Sequence, residues 1–369
     1  MPSATAPSGT MASIPVIDIS ASNPNAATDM LCAAIDFGFV YVENNEAAGV
    51  PAQDVAGMFE LSKQFFQSPT EMKETCSINS NKAGKNKGWL SMHTETLDPS
   101  RQKRGDFKEA FNLGEPVSST FPQPLAPPLD SNIPTLLTFT TQCHNLCKRI
   151  LQLFAQGLSL GDKNWFSDRH DQSKGPSGSI LRLLYYPDVG TMEGGQESER
   201  SSDDIRAGAH SDYGSVTLLF QLPGQPGLQI LTPEGEWVGV PVDPSSLSEA
   251  EKETSRKPLP ILVNIGDLLA YWTNGLLRST VHRVVFPHPQ QQQQQQQQQS
   301  ESDKMEKTGD RYSIAYFCHP LDDARLIPVP SKMVDEYKGG VKGMTKNEGT
   351  LTARDHLNER LAATYGMKK

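Results

Sequence analysis

Three side chains with metal-binding chemistry stand in two short motifs of the sequence. His210 and Asp212 are two residues apart in A-H-S-D-Y-G, and His282 follows much later in S-T-V-H-R-V. In an extended strand, residues two apart point the same way, so His210 and Asp212 can meet one ion from a single strand end. Two imidazoles and one carboxylate on one face of an octahedral ion are typical of non-haem Fe(II) sites. Imidazole also suits zinc and copper, and a single histidine on a strand is more often a core or surface residue.

A second candidate group stands further along the chain, in the motif D-R-Y-S-I-A-Y-F. Arg311 and Ser313 have the period-2 spacing that places both side chains on one face of a strand. The guanidinium fork of arginine matches a carboxylate, and a hydroxyl two residues further on can take the second oxygen. This pair could therefore anchor the distal carboxylate of a dicarboxylic acid such as 2-oxoglutarate. The alternative is a surface arginine that pairs with an acidic side chain of the protein.

The motifs and their order resemble the 2-oxoglutarate- and Fe(II)-dependent dioxygenases of the isopenicillin N synthase-like group. The resemblance covers roughly residues 13–365. In the carboxy-terminal half it rests on A-H-S-D-Y-G-S-V-T-L-L at 209–219, G-L-Q-I at 227–230, V-N-I-G-D-L-L at 263–269, W-T-N-G at 272–275, S-T-V-H-R-V at 279–284 and D-R-Y-S-I-A-Y-F at 310–317. In the amino-terminal half it extends through I-P-V-I-D-I-S at 14–20, D-F-G-F-V-Y-V at 36–42 and D-F-K-E-A-F at 106–111.

The resemblance implies roles for six residues. It implies that Fe(II) is bound by His210, Asp212 and His282, and that the far carboxylate of 2-oxoglutarate is bound by Arg311 and Ser313. Tyr186, in L-R-L-L-Y-Y-P, matches the tyrosine that often contacts the cosubstrate near the metal. Many plant members have asparagine two residues before this tyrosine. This chain has Leu184 there, so that polar contact is absent or replaced.

The implied activity is oxidation, most often hydroxylation, of a small organic substrate, with O2 as a further cosubstrate and release of succinate and CO2. Two alternatives stay open. An Fe(II) oxidase of the isopenicillin N synthase type uses its Arg-x-Ser motif for the substrate's own carboxylate and needs no 2-oxoglutarate. A non-catalytic protein that binds iron or oxoglutarate is disfavoured by the complete set of three metal-binding residues. A zinc hydrolase would need a glutamate placed as a general base beside the histidines, and the sequence lacks it.

The spacing of apolar residues predicts an α+β fold with a mainly β core. Short β-type runs separated by turn signals favour a double-stranded β-helix (jelly roll) with flanking helices over a βαβ fold. No Gly-rich phosphate-binding loop is present. Helical periodicity over 136–158 predicts a long helix against which the sheet packs. The core strands are predicted at 181–186, 215–221, 227–231, 236–240, 261–265, 268–271, 280–286 and 311–317.

Composition divides the chain into parts. Residues 1–12 carry no charged side chain and predict a disordered tail. Residues 13–150 then form an amino-terminal dioxygenase region with the helical spine, and residues 151–369 carry the jelly-roll core. Ten consecutive glutamines at 290–299 interrupt this core, and we expect them to bulge outward, because low-complexity glutamine cannot build a core. The polar segment 187–205 predicts a flexible loop near the mouth of the site.

The charge and composition of the chain limit the kinds of partner that we expect. A net charge of −9 argues against a nucleic-acid partner or an anionic membrane surface. The sequence has no run of 18 apolar residues and no secretory signal pattern. Its five scattered cysteines are typical of free thiols in a reducing compartment. We therefore expect a small-molecule substrate, no nucleic acid, no membrane, no evident obligate protein partner, and a cytoplasmic location.

Overall fold

The computed structural model describes residues 10–80, 86–98, 102, 105–188, 206–245, 257–285, 309–340 and 351–365. Its strands are β1 (Val16–Ile17), β2 (Phe39–Val42), β3 (Gly88–Leu90), β4 (Glu109–Gly114), β5 (Ile180–Tyr186), β6 (Ala207–His210), β7 (Val216–Gln221), β8 (Leu228–Leu231), β9 (Trp237–Gly239), β10 (Ile261–Ile265), β11 (His282–Val284) and β12 (Arg311–Cys318). Its helices are α1 (Ala26–Asp36), α2 (Ala52–Phe66), α3 (Thr70–Glu74), α4 (Pro127–Asp130), α5 (Ile133–Gly157), α6 (Asp267–Trp272), α7 (Lys332–Glu336) and α8 (Ala353–Tyr365), with a 3-10 turn at Ser167–His170.

The described strands form two sheets. The larger has the order β1-β2-β10-β7-β12-β5-β4-β3, and the smaller has the order β6-β11-β8-β9. Within both sheets all neighbours pair antiparallel except β1 and β2. One apolar cluster contains side chains of both sheets, among them Tyr41, Leu184 and Leu262 of the larger and Leu228 and Ile230 of the smaller. The two sheets therefore face each other, in agreement with the predicted jelly roll.

The larger sheet has two different faces because side chains alternate along each strand. On β12, Tyr312, Ile314 and Tyr316 pack in the main hydrophobic core, together with side chains of the helices. Arg311 and Ser313 point to the other face, where they line a cavity between the sheets. The alternation predicted from R-Y-S is therefore observed. One face of β12 therefore packs against the helices, and the other face presents polar side chains to the cavity.

Helix α5 packs on the outer face of the larger sheet. Its buried stripe includes Phe139 and Phe154, both fully buried, and the Phe139 ring lies 5.2 Å from that of Phe220 in β7. Burying one large apolar side chain contributes about 1.5–3 kcal/mol, so this stripe fixes the sheet to the helix. The predicted helix over 136–158 is confirmed and begins three residues earlier. In the described parts of the chain, no helix is long and apolar enough to cross a membrane.

The strand predicted at 268–271 was wrong, because this segment lies in helix α6. Gly266 is extended and precedes the helix, and its carbonyl accepts a hydrogen bond from the backbone amide of Ala270 at 3.1 Å. Leu268 and Trp272, four residues apart, are both fully buried. A short run that is apolar throughout has no periodicity that separates a buried strand from a buried helical turn, so its spacing could not identify the element.

Several predicted segments fall partly or wholly outside the described residues: 1–9 of the tail, 189–205 of the loop and the glutamine insertion at 290–299. Within the described part, the backbone amide of Ala12 donates to the carbonyl of Gly239 at 2.8 Å. The five cysteines are free thiols, as expected.

Gly38 makes the sharp turn between α1 and β2. It has a φ of +68° and donates its backbone amide to the carbonyl of Ala34 at 3.2 Å. A Cβ at this position would lie 2.3 Å from both the carbonyl oxygen of Arg278 and Oγ1 of Thr280. Only glycine combines this backbone conformation with so close an approach. The turn thus holds α1 against the segment that leads into His282.

Candidate active site

The three predicted metal-binding residues come together where the smaller sheet meets the loop after β6. His210 ends β6, His282 begins β11, and the two are direct partners in the antiparallel register. Asp212 Oδ1 lies 3.8 Å from His210 Nε2 and 3.6 Å from His282 Nε2. The three ligand atoms all lie within 4.8 Å of one another, and no other such group of His, Cys, Asp or Glu occurs among the described residues. His282 is far from His210 in the sequence, and the pairing of β11 with β6 brings the two residues together.

The second oxygen of Asp212 is held by a pair of polar side chains on neighbouring strands. Thr217 Oγ1 donates to Asp212 Oδ2 at 2.6 Å, and Asn264 Nδ2 donates to the same oxygen at 2.7 Å. Thr217 and Asn264 are direct cross-strand partners of β7 and β10. This arrangement leaves Oδ1 as the oxygen that faces the two imidazoles.

The Nδ1 atoms of both histidines are held by backbone carbonyls. His210 Nδ1 lies 2.7 Å from the carbonyl oxygen of Gly208, and His282 Nδ1 lies 3.1 Å from that of Thr280. A carbonyl can only accept a hydrogen bond, so each Nδ1 carries a proton, and the lone pair of the neutral imidazole is then on Nε2. Such outer contacts commonly orient metal-binding histidines.

The pKa shifts of His210 and Asp212 both favour the forms that bind a metal. Burial, together with the charge of His282, lowers the pKa of His210 to about 4. Burial alone would raise the pKa of Asp212, but the charges of His282 and His210 and the hydrogen bonds from Thr217 and Asn264 outweigh it and lower the pKa below its usual value. Neutral imidazoles and an ionised carboxylate are the forms that bind a cation. The donor set therefore fits Fe(II), with one side left for other ligands.

Arg311 is a buried cation whose described hydrogen bonds go to neutral groups. It is 2% exposed, and its guanidinium donates to Ser313 Oγ at 3.2 Å and to the carbonyl oxygen of Gln225 at 3.3 Å. It lies 5.0 Å from the ring centre of Tyr186, its partner across β12 and β5. Within the described residues no carboxylate pairs with it, which disfavours the alternative of an ion pair inside the protein. A buried guanidinium in this state is suited to an anionic ligand.

Two adjoining cavities meet at the metal-binding group. The first is called here the Arg311 cavity, and it is lined by all six predicted site residues: His210, Asp212, His282, Arg311, Ser313 and Tyr186. The second is called the Asn112 cavity, and its lining includes His210, Asp212, Asn112, Arg182, Phe317 and Leu361. Leu97, Arg182, His210, Asp212 and Phe317 line both. His210 and Asp212 thus border both cavities.

Sequence reasoning missed several polar residues of this region: Thr217, Asn264, Asn112 and Arg182. Each interrupts an otherwise apolar strand at an inward position, and this was the signal that could have revealed them. Asp106 and Lys108 form structural contacts beside the site. Asp106 Oδ1 accepts the backbone amide of Gly208 at 3.1 Å, and Lys108 Nζ pairs with Glu95 Oε2 at 2.9 Å.

Comparison with known proteins agrees with this geometry. Residues 177–320 match the 2OG-Fe(II) oxygenase superfamily, and residues 14–131 match the non-haem dioxygenase in morphine synthesis N-terminal family. A UPF0676 protein of Schizosaccharomyces pombe is 33% identical, over 96% of this chain and 93% of its own. A 2-oxoglutarate-Fe(II) type oxidoreductase of Metarhizium rileyi is 27% identical, over 89% of this chain and 83% of its own.

Solved structures extend the comparison. A full-length Neurospora crassa protein in complex with alpha-KG has a TM-score of 0.71 and 28% identity, and the match covers 98% of this chain and 99% of that protein. The same Neurospora crassa protein with alpha-KG and thymine has a TM-score of 0.69 and 28% identity over the same shares of the two chains.

The chain belongs to the 2OG-Fe(II) oxygenase superfamily. The predicted jelly-roll fold with flanking helices is confirmed. The protein is an oxidoreductase, a dioxygenase that depends on Fe(II) and 2-oxoglutarate and acts on a small molecule. These relatives favour the 2-oxoglutarate-dependent enzyme over the oxidase and non-catalytic alternatives.

Proposed function

We propose that His210, Asp212 and His282 bind the Fe(II) and that Arg311 and Ser313 bind the distal carboxylate of 2-oxoglutarate. One observation carries this proposal. A His-Asp-His group and a buried arginine without a carboxylate partner in the described residues line the same cavity. When bound, Fe(II) and 2-oxoglutarate supply the activation of O2 that places one oxygen atom in a substrate C–H bond and the other in succinate, with loss of CO2.

The protein's own residues act on position and access. Thr217 and Asn264 both donate to Oδ2 of Asp212, so Oδ1 is the oxygen that would be available to bind the ion. Arg311 fixes one end of the cosubstrate at the far end of its cavity, and Tyr186 packs beside the guanidinium. Apolar side chains of both sheets line the remainder and exclude water, which strengthens these charged contacts.

The substrate proposal is hydroxylation of a small ring compound that enters through the Asn112 cavity. This cavity meets the Arg311 cavity at His210 and Asp212, so a molecule inside it lies next to the metal position. The similar Neurospora crassa protein has been crystallised with thymine, a small planar ring compound. Helix α8 covers one side, where Leu357 and Leu361 line the cavity.

The test is to measure bound iron and succinate formation together, for the wild type and for His282→Ala. We expect about one iron per chain and 2-oxoglutarate-dependent succinate in the wild type, and loss of both in the variant. His93→Ala, which removes an exposed imidazole, is the matched control and should retain both. Turnover with stoichiometric iron in His282→Ala would contradict the assignment of the metal-binding residues.

A further inference from the structure

The Asn112 cavity contains a hydrogen-bond donor and an acceptor side by side. Asn112 of β4 and Arg182 of β5 are direct partners in the antiparallel register, so their side chains project from the same face of the sheet. Both line the cavity, together with His210 and Asp212. Directly opposed residues have Cβ atoms about 4.5–5.5 Å apart, which is close enough for both side chains to contact one small molecule.

The amide of Asn112 is oriented by the contacts of its nitrogen, and its oxygen has no hydrogen-bond partner among the described residues. The side chain is buried, and Nδ2 donates to the backbone carbonyl of Asn86 at 3.3 Å and to Asn86 Oδ1 at 3.0 Å. A backbone carbonyl can only accept, so this contact identifies which end of the Asn112 amide is the nitrogen. Among the described residues, Oδ1 of Asn112 is buried and has no hydrogen-bond partner. A buried acceptor in this state is costly and is explained by a ligand that donates to it.

Arg182 supplies the neighbouring donor without giving the cavity a net charge. Its Nη2 pairs with Glu95 Oε2 at 2.6 Å and its Nη1 with Glu95 Oε1 at 3.3 Å. Glu95 also pairs with Lys108, which in turn pairs with Asp106. Two acids and two bases balance in this buried network. A charged ligand would have no uncompensated partner there, and a neutral one is favoured.

Apolar side chains line part of the rest of the cavity. Phe317 and Ile180 come from the larger sheet, Leu97 from the loop after β3, and Leu357 and Leu361 from helix α8. Phe317 lies on β12, two residues beyond an inward-facing alanine, and lines both cavities. An aromatic ring and aliphatic side chains in the same cavity as the Asn112 and Arg182 pair suit a flat ring whose faces are apolar and whose edge forms hydrogen bonds.

We infer that the Asn112 cavity binds a small neutral cyclic amide or imide, and that Asn112 and Arg182 are its specificity-determining residues. The ring N–H donates to Asn112 Oδ1, and the adjacent C=O accepts from the Arg182 guanidinium. The inference rests on the proposed function, because it assigns the substrate of the same site. Unlike a general small-molecule pocket, this cavity requires a ligand with an N–H next to a C=O.

The experiment measures binding of paired probes to the anaerobic protein loaded with Fe(II) and 2-oxoglutarate, by calorimetry. The probes are thymine, hydantoin and 2-piperidone, each a cyclic amide or imide. Their controls are 1,3-dimethylthymine, which keeps ring and carbonyls but has no N–H, and benzoate, an anionic ring of similar size. We expect binding of at least one cyclic amide, with the dimethylated probe and benzoate binding at least tenfold more weakly than that amide.

The variant Asn112→Leu has similar volume and removes the acceptor. It should weaken binding of the N–H probe by about ten- to a hundredfold and leave binding of 1,3-dimethylthymine unchanged. If the variant does not fold, the comparison of methylated and unmethylated probes on the wild type still decides. Equal affinity for both, or no binding of any cyclic amide, would overturn the inference. Bound Fe(II) and 2-oxoglutarate give a visible absorption band. If the band forms but no cyclic amide binds, only this inference fails; if no band forms, the proposed function fails as well.

Discussion

Replacing Thr217 by valine removes one of the two hydrogen bonds that hold Oδ2 of Asp212. The bond is short, at 2.6 Å, and Asp212 is 5% exposed, so water cannot easily replace it. Outer contacts of this kind typically change metal affinity by about 10–100-fold. Because Asn264 still donates to the same oxygen, we expect the lower end, about tenfold weaker Fe(II) binding. Fe(II) binding should weaken because, without the Thr217 hydroxyl, the Asp212 carboxylate can rotate Oδ1 away from the two imidazoles.

The assay is anaerobic Fe(II) titration of both proteins, with thermal unfolding of the metal-free forms measured in parallel. Thr273→Val is the matched control, since Thr273 is fully buried and donates to the neutral carbonyl of Leu269 at 2.9 Å, at the end of helix α6. The control should lose stability but keep its metal affinity. If Thr217→Val binds Fe(II) as tightly as the wild type, the role assigned to the Thr217–Asn264 pair is refuted.

Three further predictions concern the cosubstrate, pH and the fold. Arg311→Gln should raise the apparent KM for 2-oxoglutarate by about ten- to a hundredfold with unchanged iron affinity, because a charge-assisted contact is lost; steady-state succinate assays check this. Burial lowers the pKa of His319 to about 3. Because the pKa of this histidine in the unfolded chain is about 6.5, its contribution to stability is complete above that pH. The contribution decreases as the pH falls toward 3, since the unfolded chain then binds a proton that the folded protein does not. When the pH falls from about 6.5 to about 5.5, the free energy of unfolding of the metal-free protein should decrease by about 1 kcal/mol less in His319→Gln than in the wild type. An equal decrease in both proteins would contradict this. Gly38→Ala should destabilise the protein by more than about 1 kcal/mol, since its Cβ would meet the Arg278 carbonyl at 2.3 Å. Gly57→Ala, in open space on α2, should instead stabilise by about 0.4–1 kcal/mol, and chemical denaturation compares the two.

The parts of the site that could be predicted from the sequence are those carried by local spacing. His210 with Asp212, and Arg311 with Ser313, are pairs two residues apart. Alternation along β12 places Arg311 and Ser313 on one side, whereas His210 ends β6 and Asp212 lies in the loop two residues beyond it. His282 was joined to the first pair by motif order and by the resemblance, and the observed strand pairing with His210 explains the contact. Long helical periodicity likewise predicted α5.

The remainder depends on which strands are neighbours, and no local period encodes this. Thr217 and Asn264 meet because β7 pairs with β10, and Asn112 meets Arg182 because β4 pairs with β5. Each is an ordinary polar residue when read alone. The helix at 267–272 was missed for a different reason, since its apolar run is too short to show a helical period.

The most direct test of the central claim is an anaerobic titration of the protein with Fe(II) and 2-oxoglutarate, followed by visible absorption. We predict a weak charge-transfer band that needs both components, is absent in His282→Ala and requires more 2-oxoglutarate in Arg311→Gln. If Fe(II) binds and no band forms at saturating 2-oxoglutarate, the cosubstrate does not reach the metal as proposed, and the residues assigned to hold it are wrong.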